Sequence, residues 1–276
     1  MTGQEILQKN ARFAENLRRQ AEKIDLGQLE ELARFAASVG KPLSSLNAAS
    51  AFRDAFPHVS LISDHYSAFL QYLWEKKLLQ PVSLQDPKNV DRSCSLLYVP
   101  SSYTEFACQK FAAVIPFLYL IPQTDFQKIC ETVSSEENSY CILPISSSTE
   151  GELPAFARMI HEYQLKTRAV CDVITSDGET ELRLALLAGQ IFWTEHTTLA
   201  EVSFQPESGK QLTDALFAME RLGASLYRIN ARPMEYNMNR FYYKVTVNVP
   251  ANNLHSVAAF METAFPSGAC GAFHII

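Results

Sequence analysis

The sequence predicts an α/β chain, α+β overall, built as an N-terminal helical module over 1–85, a single α/β lobe over 93–190 and a ferredoxin-like unit over 195–276. Three observations carry that reading. Apolar residues recur at helical spacing through the first third of the chain, as on one face of an amphipathic helix. From Ser95 short apolar runs alternate with helical stretches, the pattern of a sheet layered with helices. From residue 197 the order becomes strand, helix, strand, strand, helix, strand, which is ferredoxin-like.

The module opens with a stripe of Ile6, Phe13, Leu17, Ile24, Leu29, Leu32 and Phe35, which predicts helix over 1–37, stopped by Gly40 and Pro42. Further helices are expected at 46–56 and 63–79, the second with Tyr66, Phe69, Leu70, Leu73 and Trp74 on its apolar face. Residues 80–93, with Pro81 and Pro87 among charged neighbours, read as a linker. The lobe is expected as strand 95–99, helix 103–112, strand 117–121, helix 124–133, strand 140–144, helix 153–163 and strand 166–174, in a mostly parallel sheet that strand 181–187 re-enters. The last unit is expected as strand 197–204, helix 209–221, strands 224–233 and 239–249, helix 253–263 and strand 269–275.

Composition bounds the function. A chain of 276 residues, 47% of them hydrophobic, can bury proper cores in two or three small domains. The net charge of −6 argues against nucleic acid or an anionic membrane surface as main partner. Cys94, Cys108, Cys130, Cys141, Cys171 and Cys270 form no Cys-x-x-Cys pair and sit mostly among apolar neighbours, so buried free thiols and a reducing cytoplasm are expected. The N-terminus lacks the apolar core of a signal peptide, and the longest apolar run, 111–122, is too short to span a bilayer. The six histidines are scattered without metal-ligand spacing, and no phosphate-binding glycine loop occurs; neither metal nor cofactor is expected.

The densest local signal lies between 140 and 164. Tyr140 to Leu143 read as a buried strand ending at Pro144, then Ser146, Ser147, Ser148 and Thr149 lead through Glu150 and Gly151 to a helix marked by Phe156, Met159, Ile160 and Tyr163. A strand feeding a helix N-terminus through such a turn suits an anion, because free N–H groups and the positive end of the dipole face it. The competing reading makes Thr149 an ordinary helix cap with Glu152 completing a capping box. Pro154 lacks the N–H that a helix capped at Thr149 would need, so the regular helix is expected to begin between Gly151 and Leu153.

That stretch resembles the prephenate dehydratase family, whose first lobe carries a Pro-Ile-Glu-Asn-Ser-x-Glu-Gly turn before a helix. Pro144, Ile145, Ser148, Glu150 and Gly151 match it, while Ser146 and Ser147 stand in place of Glu and Asn. Upstream, Tyr103, Phe106, Ala107 and Phe111 fall where the family has its opening strand, loop and helix. Residues 211–249 are similar to the ACT domain that comes after it in the family, with Asn230, Ala231, Arg232 and Pro233 in place of Glu-Ser-Arg-Pro. Gly209, Lys210 and Gln211, followed by Leu212, stand at the Gly-Ala-Leu turn. The resemblance covers about residues 94 to 276.

The resemblance implies a lobe of periplasmic-binding-protein type. It also implies that the second lobe is absent, because the chain runs directly from 172 to 189, so no two-lobed cleft is expected within one subunit. By the same resemblance Leu182, Arg183 and Leu184 take the place of the family's Thr-Arg-Phe motif. Arg183 is then the candidate carboxylate grip and Thr180 the candidate substitute for the lost hydroxyl. Ser146, Ser147, Ser148, Thr149, Glu150 and Gly151 are candidate substrate contacts. Gly209, Leu212, Asn230, Ala231, Arg232 and Pro233 would hold a regulatory aromatic amino acid. The partners it implies are a small-molecule ligand, prephenate-like or an aromatic amino acid, and a second copy in a homodimer. The activity implied is either an impaired, regulatory member of L-phenylalanine metabolism or an active dehydratase completed across a dimer.

A helical module ahead of such a lobe is similar to the bifunctional members that begin with an all-helical chorismate mutase. Arg12, Arg18, Arg19, Arg34, Lys41 and Arg53 supply cations, without the Arg-Glu pairing that enzyme needs. Solvated faces of a helical bundle account for them as well. A helix-turn-helix binding module is a third reading, disfavoured by the acidic balance.

Overall fold

The computed structural model describes residues 27–32, 34, 41–84, 94–113, 115, 119–136, 139–174, 181–234 and 237–276. Of the helix expected over 1–37, residues 27–32 and 34 are described and are helical. The rest of it, residues 85–93 of the linker and Thr180 lie outside the described residues.

Helix α1 (Ser45–Ala55) starts where the Ser44 hydroxyl accepts from the Asn47 N–H, and α2 (Asp64–Glu75) where Ser63 accepts from Tyr66 N–H. Each satisfies one orphan donor of a first turn. Phe52, Tyr66, Phe69, Leu70 and Leu73 are fully buried. Their core is shared with Ala215, Met219, Val257 and Phe260 near the other end of the chain. The Tyr66 hydroxyl meets the Thr263 hydroxyl at 2.8 Å inside this core, and Arg221 pairs with Asp64 at its edge.

The lobe comprises β1 (Ser95–Tyr98), α3 (Ser102–Ala112), β2 (Tyr119–Pro122), α4 (Phe126–Ser135), β3 (Ser139–Ser147), β4 (Gly151–Glu152), α5 (Pro154–Glu162), β5 (Lys166–Ile174) and β6 (Glu181–Ala188). After it come β7 (Leu199–Phe204), α6 (Gly209–Arg221), β8 (Ser225–Met234), β9 (Asn237–Asn248), α7 (Leu254–Ala264) and β10 (Ala269–Phe273). All strands join one ten-stranded sheet in the order β2-β1-β3-β6-β5-β10-β7-β9-β8, with β4 on the side of β3. This is a mixed α/β architecture.

The sheet is not mostly parallel, as the sequence suggested. Only β1 with β2, β1 with β3 and β10 with β5 pair in parallel. Strand β6 inserts between β3 and β5 antiparallel to both, and the last four strands pair antiparallel with one another. The order β10-β7-β9-β8 with α6 and α7 on one face has ferredoxin-like connectivity. Alternation at period two explains the layers. In the lobe Leu96, Ile142, Cys171 and Leu184 pack under α3, while Cys141, Leu143, Val170 and Ala185 face α4 and α5.

Where β10 meets β5 the backbones approach closely. A Cβ at Gly271 would lie 2.7 Å from the Thr167 carbonyl oxygen, so only glycine fits this junction. The Val170 N–H donates to the His274 carbonyl and the Ile276 N–H to that of Val170, closing the seam. Cys94, Cys108, Cys130, Cys141 and Cys171 are buried and Cys270 is half-buried, in keeping with their apolar neighbours. No helix among the described residues is long and apolar enough to cross a membrane.

Candidate functional site

The hydroxyl run is built differently from either reading of the sequence. Strand β3 continues past Pro144 to Ser147, and its ladder to β6 shifts register between Pro144 and Ser146. A proline in a ladder is tolerated at such an irregularity. Ser148, Thr149 and Glu150 then form a hairpin turn into β4, with Gly151 at φ +72. The Ser147 hydroxyl accepts from Glu150 N–H at 3.0 Å, and the Ser148 hydroxyl accepts from Glu181 N–H at 2.9 Å. The helix cap is Leu153, without a side-chain cap bond, and Pro154 opens the helix. Thr149 therefore does not cap α5; the hydroxyls serve the hairpin. The regular helix begins at Pro154, just past the expected Gly151–Leu153 window, because Gly151 and Glu152 pair with β3 as β4.

Ser146 of β3, Arg183 of β6 and Asp172 of β5 are direct register partners across three strands. The Arg183 guanidinium grips Asp172 with two parallel bonds, Nε to Oδ1 at 2.6 Å and Nη2 to Oδ2 at 2.7 Å. This bidentate pair, more than the opposing effect of burial, pushes the Arg183 pKa further up, and the Tyr227 hydroxyl adds to it. The Arg183 fork is thus already occupied on one edge.

Beside this row a cleft of about 60 Å³ opens on the sheet face away from α6 and α7. Ser146 and Arg183 line one wall, and Tyr227, Arg228, Asn230 and Lys244 line the other. Its floor carries a second charged group. Glu201 accepts from Lys244 at 2.9 Å and from the buried Thr246 hydroxyl at 3.0 Å. Burial pulls the Lys244 pKa down, yet the Glu201 carboxylate, together with Cys270 and Glu152, leaves it raised. At the rim Arg232 of β8 meets Glu152 of β4 at 2.7 Å, tying the hairpin to the far strand. Residues of β8 and β9 form the second wall of this cleft.

The structure accordingly unites residues that the sequence assigned to separate sites. Ser146 and Arg183, expected at a catalytic site, share the cleft with Asn230, expected at a regulatory one. Ser147 to Gly151 stand apart at the hairpin. Gly209 opens α6 after Ser208, whose hydroxyl accepts from Gln211 N–H, and Leu212 packs into the core on the opposite sheet face. Phe204, Tyr243 and Ala231 are successive register partners, so Gly209 and the Asn230–Pro233 stretch share one end of the sheet on its two faces. Asp172, Glu201, Lys244 and Arg228 were not singled out from the sequence. Single charged residues inside apolar strands were the available signal, visible at Asp172 in an otherwise apolar run. Among the described residues no group of His, Cys, Asp and Glu could hold a metal.

The chain is a mixed α/β protein whose fold is similar to that of a prephenate dehydratase over about two thirds of its length. The structure of prephenate dehydratase from Streptococcus mutans matches 66% of this chain and 99% of its own, at 16% identity and a TM-score of 0.51. The prephenate dehydratase from Arthrobacter aurescens, solved in complex with L-Phe, matches 65% of this chain and 89% of its own at 13% identity and TM-score 0.48. GqqA, described as a novel type of quorum quenching acylase, matches 66% and 95% at 14% identity and TM-score 0.49. No family model matches the chain, and no curated protein does.

Proposed function

We propose that this chain is a non-catalytic relative of the prephenate dehydratases, acting in aromatic amino-acid metabolism as a binding or regulatory protein. The observation that carries this reading is the state of Arg183. The group that would grip a substrate carboxylate is held bidentate by Asp172, and the adjoining cleft of about 60 Å³ has room for a few waters rather than for a ten-carbon dicarboxylate. Loss of carbon dioxide and water from prephenate needs cations on two carboxylates and a proton donor at the leaving hydroxyl. Of the described groups near Arg183, Ser146 offers a hydroxyl but Glu201 and Lys244 neutralise one another.

The ferredoxin-like connectivity of the last unit supports an ACT-type role, with an aromatic amino acid held near Gly209, Leu212 and Asn230 to Pro233, and a second copy pairing through that unit. The boundaries 1–85, 93–190 and 195–276 belong to the same proposal. The alternative is an active dehydratase whose cleft a second subunit completes; among the described residues β2 and β8 are the edge strands at which one could pair.

Phenylpyruvate release from prephenate by the purified protein, against an Arg183→Ala variant and the acid-catalysed background, tests both. Background rates in both proteins are expected. Turnover that disappears in the variant would replace the first reading by the second.

A further inference from the structure

Arg168 is a buried cation that no carboxylate balances among the described residues. It lies on β5, is 4% exposed, and sits where the ladder to β6 slips, between Thr167 opposite Leu187 and Ala169 opposite Leu186. The pairing with β10 slips over the same stretch, from Thr167 opposite Gly271 to Val170 opposite Ile275. Irregularities of this kind re-aim a side chain. Arg168 Nη1 donates to the Phe192 carbonyl at 3.1 Å, and its guanidinium lies over the Phe192 ring, 5.3 Å from the centroid. Its Nε is buried without a hydrogen-bond partner. A guanidinium keeps its proton in a protein, so burying it without a counter-charge is costly and calls for an explanation. At Arg183 the Nε edge of the same group takes the Asp172 carboxylate, whereas at Arg168 Nε has nothing to donate to.

The surroundings of Arg168 step outward to the surface. Tyr140 is buried and acts against the lowering of the Arg168 pKa by burial. His274 is half-buried and feels the Arg168 charge, and its ring meets that of exposed His196, centroids 6.3 Å apart. We propose that Arg168 anchors a site for a small monocarboxylate, held two-pronged on the Nε edge of the guanidinium, with the His274 and His196 rings as donors toward the surface. One guanidinium matches one negative charge, and a planar carboxylate fits its edge with two parallel bonds. A dianion such as sulfate would bury a second charge with no cation to meet it. The site is independent of the Arg183 cleft. Tyr140 and Phe192 belong to the core under α3, whereas Val170 and Phe273 beside that cleft belong to the core facing α4 and α5.

Acetate, titrated against chloride at constant ionic strength, is the probe. It is expected to raise the Tm of the full chain saturably, by mass action, and sulfate is expected to do so less. The His274 ring signal in proton NMR, identified among six histidines as the one missing from His274→Gln, should move along the same saturation curve. Arg168→Lys keeps the charge but gives up the two-pronged edge, and should weaken acetate about tenfold. His274→Gln should weaken it by a smaller factor. The proposal is overturned by no saturable response to acetate at tens of millimolar, by an equal or stronger response to sulfate, by a response unchanged in Arg168→Lys, or by a His274 signal that stays still while Tm rises.

Discussion

Arg183 and Asp172 show how one pair can decide a reading. They sit opposite one another on β6 and β5, and their side chains are 27% and 24% exposed, so neither charge is fully returned to water if the other is removed. Asp172→Ala and Arg183→Ala are each expected to cost about 1.5–3 kcal/mol, the range for hydrogen bonds to charged groups. The double variant should cost clearly less than the sum of the two. Urea melts of the four proteins check this, and strict additivity would mean that the pair carries no energetic weight. Gly271 makes a second case. Alanine there would push a methyl group into the Thr167 carbonyl at 2.7 Å, where backbone has no room to yield. Gly271→Ala is expected to cost about 1–3 kcal/mol as an overpacked site. Urea midpoints read it, and an unchanged midpoint would show that the seam gives way freely.

At the scale of elements, the features legible in the sequence are those set by physics acting over a few residues. Helix 209–221 was placed residue for residue because Ser208 caps it and its apolar positions recur at helical spacing. The strand at 166–174 was equally plain as an apolar run between a turn and the next polar cluster. The extent of β3 was not, because Pro144 reads as a stop unless the partner strand is known to slip there. The shared cleft was hidden for the same reason. Ser146 and Asn230 are far apart in sequence, and only the sheet order brings β3 and β8 face to face. The helices α1 and α2 extend the point. Their apolar stripes were legible, but not what they cover. Phe52 and Phe69 pack in one core with Met219 and Phe260, so among the described residues α1 and α2 share their core with α6 and α7. Phe69→Ala should therefore cost about 3–5 kcal/mol. It should also lower the transition seen by Trp74 and the transition of the sheet together, in coincident melts by fluorescence and circular dichroism. Separate transitions would mean that the helices fold as a module of their own.

On the scale of the whole molecule, two histidines stand at the two seams that join its parts. His255 of α7 packs tilted against Trp74 of α2, ring centroids 4.9 Å apart, and its pKa is lowered by burial despite a bond to the Val82 backbone. His274 comes just after β10 at the junction with β5, and burial, then the charges of Arg168 and His196, lower its pKa. Both favour the neutral ring in the folded state, whereas the unfolded chain protonates near the ordinary 6.5. The unfolded state then binds more protons between the folded value and 6.5, so stability rises with pH across that window. It is fully present above 6.5 and lost as pH falls below it. Glu262 acts in the opposite sense, since its raised pKa makes burial costlier as pH climbs above the ordinary 4.5. Urea midpoints measured in the Glu262→Gln background should accordingly fall steadily from pH 7.5 to pH 5 by roughly the amount two neutral rings can contribute. Adding His255→Gln or His274→Gln should flatten part of that slope. A slope that neither substitution changes would place the acid sensitivity in the carboxylates and leave both seams indifferent to pH.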